Sequence, residues 1–193
     1  MKIIGVTGGI ASGKSTVTAY LRKQNIPVFD ADAIAHDAVR LGSPCLAKIH
    51  EIFGDEIIMD TGELDRKALS ALVFSNKEAL KKLENIIHGY VWSKAQEFME
   101  AQKKEKIIVL DVPLLIECGW YTSVDAVWLI KVSEEEQIKR AMERNNITEA
   151  EVRARIKAQM PFAEKQKYAT IILDNSGSIT SLEKQVSVAL RTI

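Results

Sequence analysis

A chain of 193 residues, 47% of them hydrophobic, is long enough for one domain with a substantial core and room for an appended lobe. Lys+Arg and Asp+Glu balance at 26 each, which removes any general attraction to nucleic acid or an anionic membrane, so an anion must be held by local arrangement. Cys45 and Cys118 lie far apart with no CxxC or histidine beside them; this argues against a structural zinc site and fits reduced thiols in a cytoplasmic protein.

The first predicted element is a strand, Ile3–Thr7, in place of a charged-then-apolar leader. It runs into Gly8-Gly9-Ile10-Ala11-Ser12-Gly13-Lys14-Ser15, which matches G-x-x-x-x-G-K-[ST]. Gly8 and Gly13 allow the backbone to curl so that its N–H groups face an anion. A helix over 14–24 would set its positive end on the same anion. In such a turn Lys14 bridges the β- and γ-phosphates and Ser15 gives an oxygen to Mg²⁺. Four fixed positions arise by chance in a chain of this length in under about one case in a hundred. The turn is therefore read as a nucleoside triphosphate site built from Gly9, Ala11, Ser12, Gly13, Lys14, Ser15 and Thr16.

A second strand, Val28–Phe29, leads to Asp30 and Asp32. Ligands of parallel sheets sit beyond the carboxyl ends of the strands. A carboxylate there can accept the proton of an attacking hydroxyl, and Asp32 is the candidate catalytic group. The alternative for Asp30 and Asp32 is capping of a helix over 33–41. His36, one turn on, reads as a surface or packing residue. Residues 30–106 read as helices: Ala31–Leu41, Leu46–Phe53, Arg66–Phe74 and Lys77–Lys104. A crossover needs only one helix, so the surplus is either extra packing or an inserted substrate lobe, placed at about 60–104.

The third strand, Ile107–Leu110, ends at Asp111, an acid placed to hold Mg²⁺ with Ser15. Asp111, Pro113 and Glu117 interrupt the apolar region 107–120, so it does not span a bilayer. After a fourth strand, Ala126–Lys131, comes a basic segment, read as a lid over about 134–167. Arg140 and Arg144 are four apart and share a helix face, where they could clamp phosphate oxygens; a solvated charged face is the alternative and suits Arg153 and Arg155. A fifth strand is Ile171–Leu173. Capping boxes are expected at Ser75–Glu78, Ser133–Glu136, Thr148–Glu151 and Thr180–Glu183. Strands separated by helices predict an α/β fold with a parallel sheet.

Together, "GVTGGIASGKST", "DAD" at 30–32, "GELDRKALSALVF" at 62–74, "LENIIH" at 83–88, "DVPLLIE" at 111–117 and "DNSGS" at 174–178 resemble the dephospho-coenzyme A kinases over nearly the whole chain. The resemblance implies a three-layer P-loop sandwich with a five-stranded parallel sheet in the order 2-3-1-4-5, as one kinase domain over 1–193. It implies transfer of the γ-phosphoryl of ATP, with Mg²⁺, to the ribose 3′-hydroxyl of dephospho-coenzyme A, the last step of coenzyme A synthesis. By position, Asp32 becomes the acid-base group and Lys14 and Arg140 its catalytic partners. Arg144 joins the nucleotide side and Asn175 lies near adenine. Asp32, Arg66, His88, Leu114 and Leu115 line the acceptor side. Read from the residues alone, Arg66 could equally pair with Asp65 or Glu63. Two positions depart from the family pattern: Gly89 stands where proline is common, and Thr170 where aspartate is common. A monomer or weak homo-oligomer acting on a small molecule, without nucleic acid or membrane, is expected. A nucleoside or nucleotide kinase of the same fold is the alternative. A GTP-binding switch is a further one, but the N/T-K-x-D guanine reader is missing.

Overall fold

The computed structural model describes residues 1–74 and 76–193. Five strands, β1 (Lys2–Gly8), β2 (Val28–Asp30), β3 (Ile107–Asp111), β4 (Ala126–Lys131) and β5 (Ile171–Asp174), form one parallel sheet in the order β2-β3-β1-β4-β5. This is the expected α/β sheet order. Each strand is a nearly unbroken apolar run because both faces of the sheet are covered. Ile4, Val6, Val109, Trp128, Ile130 and Leu173 belong to one core, shared with Val17 and Leu21 of α1 (Lys14–Lys23) and Leu182, Val186 and Ala189 of α9 (Ile179–Leu190). The alternate residues Ile108, Leu110, Val127 and Leu129 are also buried. The result is a three-layer α/β sandwich of P-loop type.

The chain divides into two compact units, Met1–Asp30 with Ala101–Ile193, and Ala31–Glu100. The second is helical. It holds α2 (Ala31–Ala38), α3 (Pro44–Phe53), α4 (Arg66–Phe74) and α5 (Lys77–Ala101) around a core of its own that includes Leu46, Ile49, Ile57 and Leu69. The helix expected over 31–41 stops at Ala38, and a turn through Gly42 at φ 81° leads to the Ser43 cap of α3. α5 runs unbroken through Gly89, where an added Cβ would meet open space.

The remaining helices are α6 (Glu134–Asn145), α7 (Glu149–Ala158) and α8 (Phe162–Lys165). The Thr148–Glu151 box closes in both directions. Ser133 caps α6 through the Glu136 N–H, but the Glu136 carboxylate accepts from Arg140 instead of returning to the cap. Thr180 lies inside α9, whose cap is Ser178, so the expected Thr180–Glu183 box does not form. The Ser75–Glu78 box falls on Ser75 and lies outside the described residues; Asn76 Oδ1 accepts from the N–H groups of Glu78 and Ala79. Thr170 Oγ1 accepts from Val127 N–H at 2.9 Å while its own N–H donates to the Val127 carbonyl.

Candidate active site

The glycine motif folds as a strand, a curl and a helix. β1 ends at Gly8, Ser12 N–H donates back to the Gly9 carbonyl at 3.2 Å, and α1 begins at Lys14. Ala11 at φ 53° and Gly13 at φ 99° are left-handed residues two apart, a backbone setting of the kind that makes anion-binding concavities. The conformation at Gly13 requires glycine twice over, since a Cβ there would also run into Asn175 Nδ2. Asn175 is buried and donates from that nitrogen to the Ser12 carbonyl at 2.8 Å. Ser12 is itself buried, and its Oγ has no hydrogen-bond partner among the described residues. A left-handed curl, a helix start and an unsatisfied buried hydroxyl together fit a polyanion.

The acids gather at the strand ends. Asp111 is in register with Val6 of β1 on one side and with Asp30 of β2 on the other. Asp111 is buried, whereas Asp30 faces Arg22 at 3.7 Å. Ser15, exposed in the first turn of α1, and Asp111 are both hard oxygen donors. Among the described residues no cluster of three or more His, Cys, Asp or Glu forms a ready-made metal cage. Two protein oxygens are the donor set expected when a phosphate and water complete the shell, so these residues fit Mg²⁺. Asp32 is exposed in the first turn of α2, in the helical unit.

Arg140 and Arg144 lie on α6. Arg140 Nε donates to Glu136 Oε1 at 2.7 Å and Nη2 donates to the Asn175 carbonyl at 3.3 Å. That places it beside the loop that braces the curl. Arg144 is exposed and donates to Asn145 Oδ1. Arg153 is tied to Glu134 and Glu149, as a solvated charged face would be. At the end of β5, hydrogen bonds from Ser176 hold the Asp174 carboxyl below its ordinary value.

Three residues that the sequence reading did not single out also face this region. Gln159 Oε1 accepts from the Ile10 N–H at 3.1 Å. Gln137 Oε1 comes within 2.6 Å of where a Cβ on Gly9 would be. Lys165 is 2% exposed, although it lies in the basic segment read as a lid. With Gly9 these three line a cavity of about 440 Å³.

Of the acceptor residues, Leu114 is half-buried and Leu115 fully buried. A Cβ on Gly5 would come within 2.5 Å of Leu115 Cδ2, so Leu115 is packed under the sheet and not on its surface. Arg66 is exposed at the start of α4 and lines a cavity of about 830 Å³ in the helical unit with Val39, Arg40, Met59 and Lys67. It makes no ion pair among the described residues. The Asp65 carboxylate caps α4 through Lys67 and Ala68 N–H, and Glu63 accepts from Thr61. His88 is half-buried on α5.

The family model of dephospho-CoA kinase matches residues 2–181. A dephospho-CoA kinase from Shouchella clausii is 44% identical over 189 residues, covering 97% of this chain and 96% of that one. A dephospho-CoA kinase structure from Campylobacter jejuni superposes with a TM-score of 0.73 at 31% identity, over 99% of this chain and 96% of that one. A Thermus thermophilus crystal structure superposes with a TM-score of 0.83 at 39% identity, over 100% and 97%. The alternatives of another kinase specificity and of a GTP-binding switch give way to this agreement of family, length and fold. The chain is an ATP-dependent phosphotransferase and belongs to the dephospho-CoA kinase family.

Proposed function

We propose that the chain moves the γ-phosphoryl group of ATP to the ribose 3′-hydroxyl of dephospho-coenzyme A, with the roles divided as follows. The amides of the 11–15 curl and Lys14 hold the β- and γ-phosphates. Asp32 accepts the proton of the attacking hydroxyl, and Arg140 with Arg144 sets positive charge on the transferring oxygens. Asn175 keeps the curl in shape, and its loop borders the adenine. Arg66 and His88 hold the acceptor's phosphates, in a helical lobe that serves acceptor binding. Leu114 offers an apolar wall that Leu115 supports from beneath. Mg²⁺, held by Ser15 and Asp111, supplies charge against the phosphate oxygens when bound. We assign the protein to the cytoplasm, which suits its two free cysteines.

The observation that carries this reading is the curl itself: Ala11 and Gly13 at positive φ and a buried Ser12 hydroxyl with no partner among the described residues, in a chain matched over residues 2–181. An ADP-release assay across an acceptor panel tests it. Dephospho-coenzyme A should be used, with AMP, CMP, shikimate and free nucleosides at background. Turnover of one of those in preference to dephospho-coenzyme A would overturn the acceptor assignment.

A further inference from the structure

The turn after β3, residues 112–117, is held from several sides. Thr7, the last residue before the glycines, is fully buried and donates from Oγ1 to the Pro113 carbonyl at 2.9 Å. Val112 N–H donates to the Val6 carbonyl, and Leu115 is buried against Gly5. From α8, Lys165 reaches the same turn. Its Nζ lies 2.8 Å from Glu117 Oε1 and 3.5 Å from the Pro113 carbonyl oxygen. Met160 N–H donates to that same Glu117 oxygen at 3.2 Å, and the preceding residue, Gln159, holds the Ile10 N–H of the curl.

Lys165 is 2% exposed and the Glu117 side chain 20%. Taking an ammonium and a carboxylate out of water is costly, and for stability alone an apolar pair of similar volume often does as well or better. An ion pair whose members also bind Pro113 and Met160 sets one geometry, because few other arrangements satisfy every group. A four-residue helix such as α8 is too short to be held by its own backbone. Its place is set in part by this pair.

We propose that Lys165 is a positioning residue for phosphoryl transfer. Through Glu117 and the Pro113 carbonyl it keeps the turn bearing Leu114 in one setting against the phosphate curl. The inference rests on the reading of Leu114 as part of the acceptor wall. Lys165 acts through the turn and touches neither substrate. Losing the pair therefore disturbs the placement of the acceptor, while the curl stays braced by Asn175 on the Ser12 carbonyl.

Lys165→Met, Glu117→Gln and the double variant, made in the full chain, test this through thermal melting and through kinetics in each substrate. Lys165→Met takes the ammonium away from the Glu117 carboxylate and the Pro113 carbonyl and is expected to melt lower. The double variant removes both charges and is expected to regain the wild-type melting temperature. It should still show a loss of about tenfold to a hundredfold in kcat/KM for dephospho-coenzyme A, since small misplacements of reacting groups cost that much, with KM for ATP unchanged. A double variant with wild-type kinetics in both substrates would overturn the proposal, leaving the pair a stability feature only. A rise confined to KM for ATP would overturn it as well. Should Lys165→Met fail to fold, the double variant and Glu117→Gln still decide the matter. Leu114→Ala separates the two levels. If it leaves KM for dephospho-coenzyme A unchanged, the wall reading fails. If it raises that KM while the double variant does not, the role of Lys165 fails alone.

Discussion

At the scale of single residues, the proposed mechanism gives Asp32 and Lys14 different parts of the chemistry, so the two should fail differently. Asp32→Asn keeps the shape of the side chain but removes the proton acceptor. It should bind ATP normally and turn over on the order of a hundredfold or more slowly, since general base catalysis contributes about that much. Lys14→Ala should weaken ATP binding and slow turnover together, because on the proposed reading the lysine meets the phosphates in both ground and transition states. Measured ATP affinity and kcat for the two variants check this pair of outcomes, and unchanged turnover in Asp32→Asn would remove Asp32 from the mechanism. The curl was legible because its chemistry demands glycines at fixed spacing, and Gly13 at φ 99° is where no other residue fits comfortably. Lys165 was not legible, because a lysine in a charged run looks the same in sequence whether it faces water or an internal carboxylate. Leu115 was read as a wall and is buried, since a single strand-end position does not reveal which way the following turn folds.

At the scale of elements, strand positions followed from continuous apolar runs and matched to within a residue or two, while helix ends depended on competition between caps. Thr180 and Ser178 show this: both precede a helical pattern, and Ser178 takes the cap because its side chain accepts from Ser181 N–H. Ser178→Ala and Thr148→Ala should each cost about 1 kcal/mol, the usual loss of a helix cap, and Thr180→Ala close to nothing. Urea unfolding of the three variants checks the order; equal losses for Ser178 and Thr180 would contradict the cap assignment. The Thr148 cap also has a pH signature. Hydrogen bonds from the Thr148 hydroxyl and backbone N–H hold the Glu151 carboxyl below its ordinary value. A depressed carboxylate stabilises above its unfolded pKa and loses that contribution as the pH falls through the lower folded value. The difference in melting temperature between the wild type and Glu151→Gln should be full at neutral pH and shrink below about pH 4.

At the scale of the whole molecule, the sequence made the parallel sheet visible because alternating strands and helices leave few other topologies. Strand order came from family resemblance and agrees with the observed β2-β3-β1-β4-β5. The helical unit, residues 31–100, was legible as a surplus of helices within one crossover, but its beginning directly after β2 was not, because α2 follows Asp30 without a linker that composition could reveal. What joins these parts into an enzyme is the claim that the backbone curl at the amino end grips the polyphosphate of ATP. Diffraction from crystals soaked with a non-hydrolysable ATP analogue tests that claim most directly. The β- and γ-phosphates should lie inside the 11–15 curl, within hydrogen-bonding distance of its amides and of Lys14. An empty curl, with the nucleotide bound at some other surface, would contradict it.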